Sequence, residues 1–360
     1  RFGKSLLVDT LKQAFLGQRD LFQGLYLEHR WDWATEHPVV HISFGGSSRY
    51  SSEQRLLNII RHTLDEHAQH YGVTLPGNDY GIDFKVLLQK LYERYHQPVV
   101  LLVDEYDKPI LDNITQPDVA TEIRNGLKDL YSVIKTQDAQ LKFVLLTGVS
   151  KFSKVSLFSG LNNLRDITLS QDYADICGYT QRELEATFAD YLHQGQVDLQ
   201  RLKRWYNGYN FAGSPEQHVY NPFDILLFFS EHCSYQPYWF ESATPEFLVR
   251  LMEEKGYFVP NLESVTVSAD TLSSFDVGNL QLTTLLFQTG YLTIQAITTI
   301  GAQYAYTLTY PNLEVKMSLN NQLAQIGTTL ESKDQYRYQL ATVLAQTDLT
   351  PLETIFKGLF

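Results

Sequence analysis

The first 170 residues alternate between two hydrophobic patterns, helical spacing and short continuous apolar runs. Apolar residues that recur three and four positions apart predict helices, and short uninterrupted apolar runs predict strands that are covered on both faces. The predicted helices span residues 5–16, 51–71, 84–95 and 119–135. The predicted strands span residues 39–44, 99–103 and 143–146, with a further candidate at 167–169. Strands that alternate with helices indicate βαβ units, so we expect an α/β fold with a mainly parallel sheet.

The pattern changes beyond residue 170. Helical spacing predicts helices over residues 180–192, 222–232 and 244–255, and no convincing strand interrupts them. Residues 280–288 then predict a helix, 291–300 and 304–310 predict two strands, and 314–326 predict another helix, an order that suggests a winged-helix-like module. We therefore expect a core over 1–170, a helical region over 171–260, a winged-helix-like module over 261–326, and a helical linker or the start of a C-terminal domain over 327–360.

Composition and charge restrict the class of protein. The 360 residues are 44% hydrophobic and 19% charged, as in an ordinary globular protein. The sequence contains no run of about 18 apolar residues, so it predicts no membrane span. The formal net charge of −12 argues against a general nucleic-acid coat, because an acidic chain repels phosphate. The first and last residues carry no start or stop signal, so we expect a segment of a longer protein.

Cysteine and histidine positions indicate no disulfide framework or zinc site. Cys177 and Cys233 are far apart in sequence, which favours two buried apolar thiols and a reducing cytoplasm. His62, His67 and His70 are close in sequence but diverge around a helix, so we expect them on a solvated face rather than on a metal.

The first candidate motif is Gly3-Lys4-Ser5, which stands at the beginning of the first predicted helix. In a phosphate loop, backbone N–H groups and the helix N-terminus hold phosphates, a lysine reaches the β and γ oxygens, and a serine hydroxyl binds Mg²⁺. Gly-Lys-Ser alone also suits an ordinary helix start.

The second candidate motif is Asp104-Glu105, which follows the apolar run Val99–Val103. These carboxylates would lie at the carboxyl end of a parallel strand, where α/β folds place ligands. Asp104 would hold Mg²⁺ and Glu105 would polarise the attacking water. A lone pair of this kind is more often two solvated residues, but its separation from Gly3-Lys4-Ser5 leaves room for an intervening strand. That combination favours a P-loop NTPase.

A polar segment follows the strand predicted at 143–146. Thr147 is the candidate sensor of the γ-phosphate, with Ser150 as the second candidate, although a polar strand end is an equally good interpretation. Four basic residues are candidates for contact with a phosphate or with a neighbouring subunit, and each one alone is more often a surface charge: Lys151, Lys154, Arg165 and Arg124.

Residues 204–211 form an aromatic segment around the turn signal Asn207-Gly208. Such a turn could stack on a nucleotide base. We prefer the interpretation that it is a packed seam between a lid and its core.

Through these motifs taken together, the sequence resembles a bacterial family of predicted AAA-ATPase-like proteins. The resemblance rests on Arg1-Phe-Gly-Lys-Ser-Leu-Leu, Leu101-Leu-Val-Asp-Glu-Tyr-Asp-Lys-Pro-Ile, residues 146–164, Trp205-Tyr-Asn-Gly-Tyr and Tyr220-Asn-Pro-Phe. It runs from residue 1 to about residue 314. It implies a P-loop ATPase core, a helical lid, a winged-helix-like region and, in many members, a C-terminal domain of the restriction-endonuclease fold.

These inferences lead to one functional hypothesis and two alternatives. We expect an ATP-binding and ATP-hydrolysing regulatory domain of a larger cytoplasmic bacterial protein, with ATP and Mg²⁺ as cofactors and a nuclease-like domain or a homo-oligomer as candidate partners. Gly3, Lys4 and Ser5 would bind the phosphates, Ser5 and Asp104 the metal, and Glu105 and Thr147 would act in catalysis. The alternatives are a nucleotide-holding scaffold without turnover, and a nucleic-acid-binding protein that works through the winged-helix-like module, with DNA as a candidate partner.

Overall fold

The computed structural model describes residues 2–46, 50–77, 79–150, 157–158, 161–239, 262–273, 281–323 and 342–343. The helix predicted at 244–255, Lys151 and Lys154, and almost all of 327–360 lie outside these residues. Within them, no helix is both long and apolar enough to cross a membrane.

The first part of the chain is a three-layer α/β core. Its strands are β1 (Val39–Ser43), β2 (Val99–Asp104) and β3 (Leu141–Leu146). Its helices are α1 (Lys4–Phe15), α2 (Glu53–Tyr71), α3 (Tyr80–Tyr95), α4 (Lys108–Leu111) and α5 (Pro117–Thr136). Short 3₁₀ turns occur at Arg19–Phe22, Tyr26–His29 and Asp138–Gln140. The strand order is β1-β2-β3 and both pairings are parallel, which confirms the predicted parallel sheet.

The side chains of β2 divide between the two faces of the sheet with a period of two, as a pleated strand requires. Val100 and Leu102 join Val8 and Phe15 of α1 in one apolar cluster. Leu101 and Val103 belong to the larger cluster, which α2, α3 and α5 cover. All six residues of β2 are buried, so the continuous apolar run reflects a strand with helices on both faces.

Side chains of α2 cover the outer edge of β1. The hydroxyl of Tyr71 lies 2.9 Å from both the backbone N and the backbone O of Val39. The Nε2 atom of His67 lies 2.8 Å from the backbone O of His41. These contacts occupy backbone groups that would otherwise be open for pairing. The expectation of a solvated His67 is therefore wrong, because this imidazole is committed to the strand edge.

The strand predicted at 167–169 is wrong. The N–H of Ser170 donates to the carbonyl of Ile167 at 3.1 Å, and the N–H of Thr168 donates to the side chain of Asp166 at 3.0 Å. These local hydrogen bonds close a turn, because an aspartate side chain offers the backbone an alternative to strand pairing.

The second part of the chain is mainly helical, with one short antiparallel pair of strands. Its elements are a 3₁₀ turn (Gln171–Tyr173), β4 (Tyr179–Thr180), α6 (Gln181–Thr187), α7 (Ala189–Gln194), α8 (Leu199–Tyr206), β5 (Val219–Tyr220) and α9 (Pro222–Ser230). The expectation that no strand interrupts this region is wrong, because β4 pairs with β5. The strands are two residues long, too short to produce an alternating pattern.

Most of the aromatic segment 204–211 is packed, as a seam requires, and the lid expected on one side of it stays a prediction. Tyr206 and Tyr209 are fully buried. The backbone N of Asn210 donates to the hydroxyl of Thr293 at 2.7 Å, which ties the seam to the third part of the chain. A Cβ added at Gly208 would lie 1.9 Å from the carbonyl oxygen of Pro311, so the Asn-Gly turn also permits this close approach.

The third part of the chain is a small α+β unit. It contains β6 (Val265–Ser268), α10 (Ala269–Ser273), α11 (Leu282–Gln288), β7 (Thr293–Ile300), β8 (Gln303–Thr309) and α12 (Leu313–Leu323). The strand order is β6-β8-β7, and both pairings are antiparallel. The helix, hairpin and helix expected from the sequence are all present.

Two fully buried carboxyl groups join α9 to α12. Asp224 and Glu314 are neighbours, and two buried carboxyl groups in contact favour a shared proton over two negative charges. Glu314 also accepts the backbone N–H of Trp239 at 2.7 Å, and Asp224 accepts the side-chain amide of Asn221 at 2.8 Å. Burial first, and then the charge of Asp224, raise the pKa of Glu314 well above its ordinary value of 4.5.

We expect the protein to lose stability as the pH rises above about 5. Native Glu314 keeps a proton that the unfolded chain releases above pH 4.5, so unfolding is coupled to proton release until the pH passes the raised native pKa. One such proton contributes up to about 1.4 kcal/mol per pH unit. Glu314→Gln, whose amide can donate to Asp224 permanently, should flatten this slope in denaturant titrations between pH 5 and pH 9. The control is Glu263→Gln at an exposed ion pair with Lys316. Equal slopes in both variants would contradict the shared proton.

Candidate functional site

Helix α1 runs antiparallel to the strands, which brings its first residues to the carboxyl edge of the sheet. At the other end of α1, the carbonyl of Phe15 accepts the N–H of His37 at 2.9 Å, just before β1 begins. A helix of 12 residues is about 18 Å long, close to the length of these strands. The N-terminus of α1 therefore lies at the edge where β1 and β2 end.

Gly3 caps α1 in a left-handed conformation, with φ of 89°. Its carbonyl accepts the N–H of Leu7 at 2.9 Å, which starts the helical hydrogen bonding. Lys4 is half-buried and Ser5 is exposed, so both side chains can be reached by a ligand. The first N–H groups of a helix lack intrahelical acceptors and attract anions, so this end of α1 suits a phosphate.

Asp104 is the last residue of β2 and is nearly fully buried. Its backbone lies opposite Ser43 at the end of β1, and its Oδ1 atom accepts the hydroxyl of Thr147 at 2.5 Å. Thr147 comes directly after β3 and is also buried. The three strand ends thus place Ser43, Asp104 and Thr147 side by side, with the hydroxyl of Thr147 committed to the carboxylate of Asp104.

Glu105 projects over the loop that follows β1. A Cβ added at Gly45 would lie 3.3 Å from Oε2 of Glu105 and 3.3 Å from the hydroxyl of Ser43. Glu105 has φ of 54°, a left-handed conformation that costs free energy in a residue with a side chain. Such strain is common at functional sites.

The electrostatic surroundings of Glu105 make it a stronger base than an ordinary carboxylate. Burial first, and then the charge of Asp104, raise the pKa of Glu105. Lys108 and Lys4 act in the opposite direction. Lys4 begins the helix whose N-terminus lies at the edge where β1 and β2 end, and Asp104 and Glu105 stand at the end of β2. The three residues are therefore at the same edge of the sheet.

Sequence reasoning missed Asp107, which has no exposed surface. Its carboxylate accepts the N–H and the hydroxyl of Ser150 at 2.5 and 2.6 Å, and the N–H of Val149 at 3.0 Å. Burial raises the pKa of Asp107, and these hydrogen bonds oppose the rise. A Cβ at Gly148 would lie 2.5 Å from Oδ1 of Asp107, so only glycine fits at that position. Asp107 thus fixes the loop after β3, and Ser150 has this structural partner.

The structure describes two of the four basic candidates, Arg165 and Arg124. Arg165 is exposed, forms an ion pair with Asp172 at 3.7 Å and lies over the ring of Tyr173. Arg124 is half-buried on α5.

Among the described residues, no group of three or more His, Cys, Asp or Glu side chains could hold a metal by itself. Mg²⁺ at a nucleotide needs only one or two protein oxygens in addition to phosphates and water, and Asp104 and Ser5 supply oxygens of the type it prefers.

Comparison with known proteins supports the P-loop interpretation of this part of the chain. The model of the AAA-ATPase-like family, described as predicted AAA-ATPase, matches residues 1–158. A curated relative from Azotobacter chroococcum mcd 1, described as "Uncharacterized protein in vnfD 5'region", is 47% identical over 362 residues, which is all of this chain and 69% of that protein. No solved structure matches. The family match covers α1, the parallel sheet and the strand ends at which the candidate residues meet.

Proposed function

The chain belongs to the predicted AAA-ATPase family, and from this premise we propose that it binds and hydrolyses ATP with Mg²⁺ at the carboxyl edge of the β1-β2-β3 sheet. The feature that supports the proposal is the shared sheet edge, at which α1 begins and β2 ends with Asp104 and Glu105. A cationic, N–H-rich helix end next to a pair of carboxylates is what a triphosphate with a divalent cation requires.

Each residue has a proposed role that follows from its chemistry. The N–H groups at the start of α1 and the Lys4 ammonium bind phosphate oxygens. Gly3 leaves the approach open, because no atom of the described residues lies within 4 Å of where its Cβ would be. Ser5 and Asp104 would hold Mg²⁺, which neutralises phosphate charge when bound. Glu105 orients a water molecule and accepts its proton, a role that its raised pKa favours.

Thr147 has two proposed contributions, which are compatible. The hydroxyl proton goes to Oδ1 of Asp104, so Thr147 orients the metal-binding carboxylate. The lone pairs of the hydroxyl and the strand-end position remain available for the γ-phosphate-sensing role expected from the sequence, through an intervening water.

The regions after the core are proposed to pass on the nucleotide state. We assign residues 171–260 to a lid and 261–326 to a winged-helix-like module. The β6-β8-β7 order, with α10 and α11 between β6 and β7, supports this module. In a larger bacterial protein the module would control a C-terminal effector such as a nuclease-like domain. The free thiols of Cys177 and Cys233 agree with a cytoplasmic setting.

The charge of the third region disfavours the DNA-binding alternative. Residues 261–323 contain one lysine, Lys316, and no arginine. Proteins that bind DNA neutralise several phosphates with such side chains, and affinity scales with their number. Helix α11 is apolar and largely buried, so it offers no polar face for a groove.

Nucleotide binding is tested by Lys4→Ala. We expect the dissociation constant for ATP with Mg²⁺ to rise at least tenfold, about 1.4 kcal/mol, because the variant loses the cation nearest the phosphates. Fluorescence titration with a labelled ATP analogue measures it. Lys12→Ala removes the same charge about 12 Å further along α1 and should change the constant less than about threefold. Equal effects of the two variants would argue for general charge attraction instead of a phosphate site.

A further inference from the structure

Phe2, the residue before Gly3-Lys4-Ser5, does not face the candidate nucleotide site. Its ring is surrounded by three aromatic rings from the second part of the chain. The ring centroids lie 4.6 Å from Tyr209, 5.3 Å from Phe211 and 6.3 Å from Trp239, all at steep angles. Edge-to-face contacts of this kind favour one orientation of the ring as well as its burial.

The main chain of Phe2 is also attached outside the core. Its carbonyl accepts the N–H of Gly178 at 3.2 Å. A Cβ at Gly178 would lie 2.8 Å from the side chain of Val219 in β5, so residue 178 is closely packed on the β4-β5 pair. Backbone and ring of Phe2 are therefore both held by the second region, one residue away from the helix cap at Gly3.

The aromatic residues around Phe2 are in turn bound to the third region. Tyr209 stacks on Trp239, whose ring centroid lies 6.3 Å from that of Tyr291. The backbone N–H of Trp239 donates to Glu314. A Cβ at Gly290 would lie 2.8 Å from the Trp239 ring, so the indole packs directly on the backbone there.

A second connection runs through Asn210, which lies between Tyr209 and Phe211, two of the three aromatic residues that contact Phe2. The carbonyl of Asn210 accepts the hydroxyl of Thr293 at 3.1 Å and the N–H of Ile294 at 3.3 Å. Residues 209–211 therefore contact Phe2, next to Gly3-Lys4-Ser5, on one side and the start of β7 on the other.

We propose that Phe2 is the positioning residue that couples nucleotide occupancy at Lys4 and Ser5 to the third region, through residues 209–211 and Trp239. This inference rests on the proposed function, because it needs a nucleotide at the start of α1. Phosphate contacts would order residues Gly3 to Ser5. Gly3 is bonded directly to Phe2, whose side chain is packed against the second region. A change at the phosphates then reaches β7 by contacts between neighbouring groups.

Hydrogen exchange on the whole chain tests the coupling. We expect Mg²⁺ with a non-hydrolysable ATP analogue to slow amide exchange in residues 208–211 and 291–295 by roughly fivefold or more, the lower end of ordinary allosteric coupling. Phe2→Ala should bind the analogue but lose most of this slowing at 291–295. If Phe2→Ala does not fold, Phe2→Leu replaces it in the same measurement, because leucine keeps apolar volume and loses the edge-to-face contacts. Leu6→Ala, a change at an exposed side chain in the first turn of α1, is the matched control and should behave as the wild type.

The outcomes separate the coupling from the site. Slowing in the wild type and in Leu6→Ala, with loss in the Phe2 variant, supports the proposal. Binding of the analogue without slowing at 291–295, or with equal slowing in the Phe2 variant, overturns the coupling and leaves the nucleotide site intact. If the wild type does not bind the analogue, the proposed function fails and the coupling fails with it.

Discussion

Glu105→Gln is expected to lower ATP turnover of the full-length protein by at least about a hundredfold, the usual contribution of a general base. The amide keeps the size of the side chain and its place over Gly45, but it cannot accept a proton from water. The raised pKa of Glu105, caused by burial and by Asp104, is the feature that the variant removes. Phosphate release at saturating ATP measures the turnover.

The Glu105→Gln variant must still bind ATP for its turnover to be informative. Removal of one negative charge beside the phosphates should leave the dissociation constant for ATP unchanged or lower it. Glu122→Gln, at an exposed position of α5, makes the same chemical change away from the sheet edge and should turn over at the wild-type rate. Wild-type turnover in Glu105→Gln would remove Glu105 from the catalytic role. No turnover in the wild-type protein would favour the scaffold without hydrolysis.

Asp107→Asn is expected to lower the free energy of unfolding by about 2–4 kcal/mol, because a buried acceptor of several hydrogen bonds becomes partly a donor. The new amide group would face the N–H groups of Val149 and Ser150 or the Ser150 hydroxyl, and at least one buried donor would lose its acceptor. The loop after β3 should then loosen, so turnover should fall together with stability. Denaturant titration measures the first effect and phosphate release the second.

A surface aspartate on the same stretch of chain provides the control. Asp112 accepts from the Lys108 ammonium at 3.0 Å, where both side chains are partly exposed. Asp112→Asn should cost less than about 1 kcal/mol, as surface ion pairs usually do. If the two variants lose equal stability, Asp107 does not anchor the loop.

Much of the core could be predicted because its signals are local. The helical spacing of α1 and α2 and the apolar run of β2 each reflect burial on a definite face, so their bounds were predicted to within a few residues. The strand expected at 167–169 failed because Ile167 and Leu169 suit a turn stabilised by Asp166 as well as they suit a strand. The β4-β5 pair was missed because two residues carry no periodicity.

The candidate site shows the same division. Lys4, Asp104, Glu105 and Thr147 were recognisable from motif types at the start of a helix or the end of a strand. The hydrogen bonds of Asp107 were not recognisable, because their partners Val149 and Ser150 are more than 40 residues away in sequence. The place of Ser43 beside Asp104 depended on the register between β1 and β2. The local signal for the loop after β1 is the pair of glycines Gly45-Gly46, which is typical of a turn.

The sequence alone determined the alternation of strands and helices, the residue types able to hold a phosphate and a metal, and the family to which they point. These depend on side-chain chemistry and on spacing within a few residues. Tertiary structure decided that the Thr147 hydroxyl donates to Asp104 and that Glu105 has a left-handed backbone beside Gly45. It also decided that the pKa of Glu314 is raised and that Phe2 packs on aromatic residues of the second part of the chain. Each of these depends on which distant groups share a buried space, and neither composition nor periodicity carries that information.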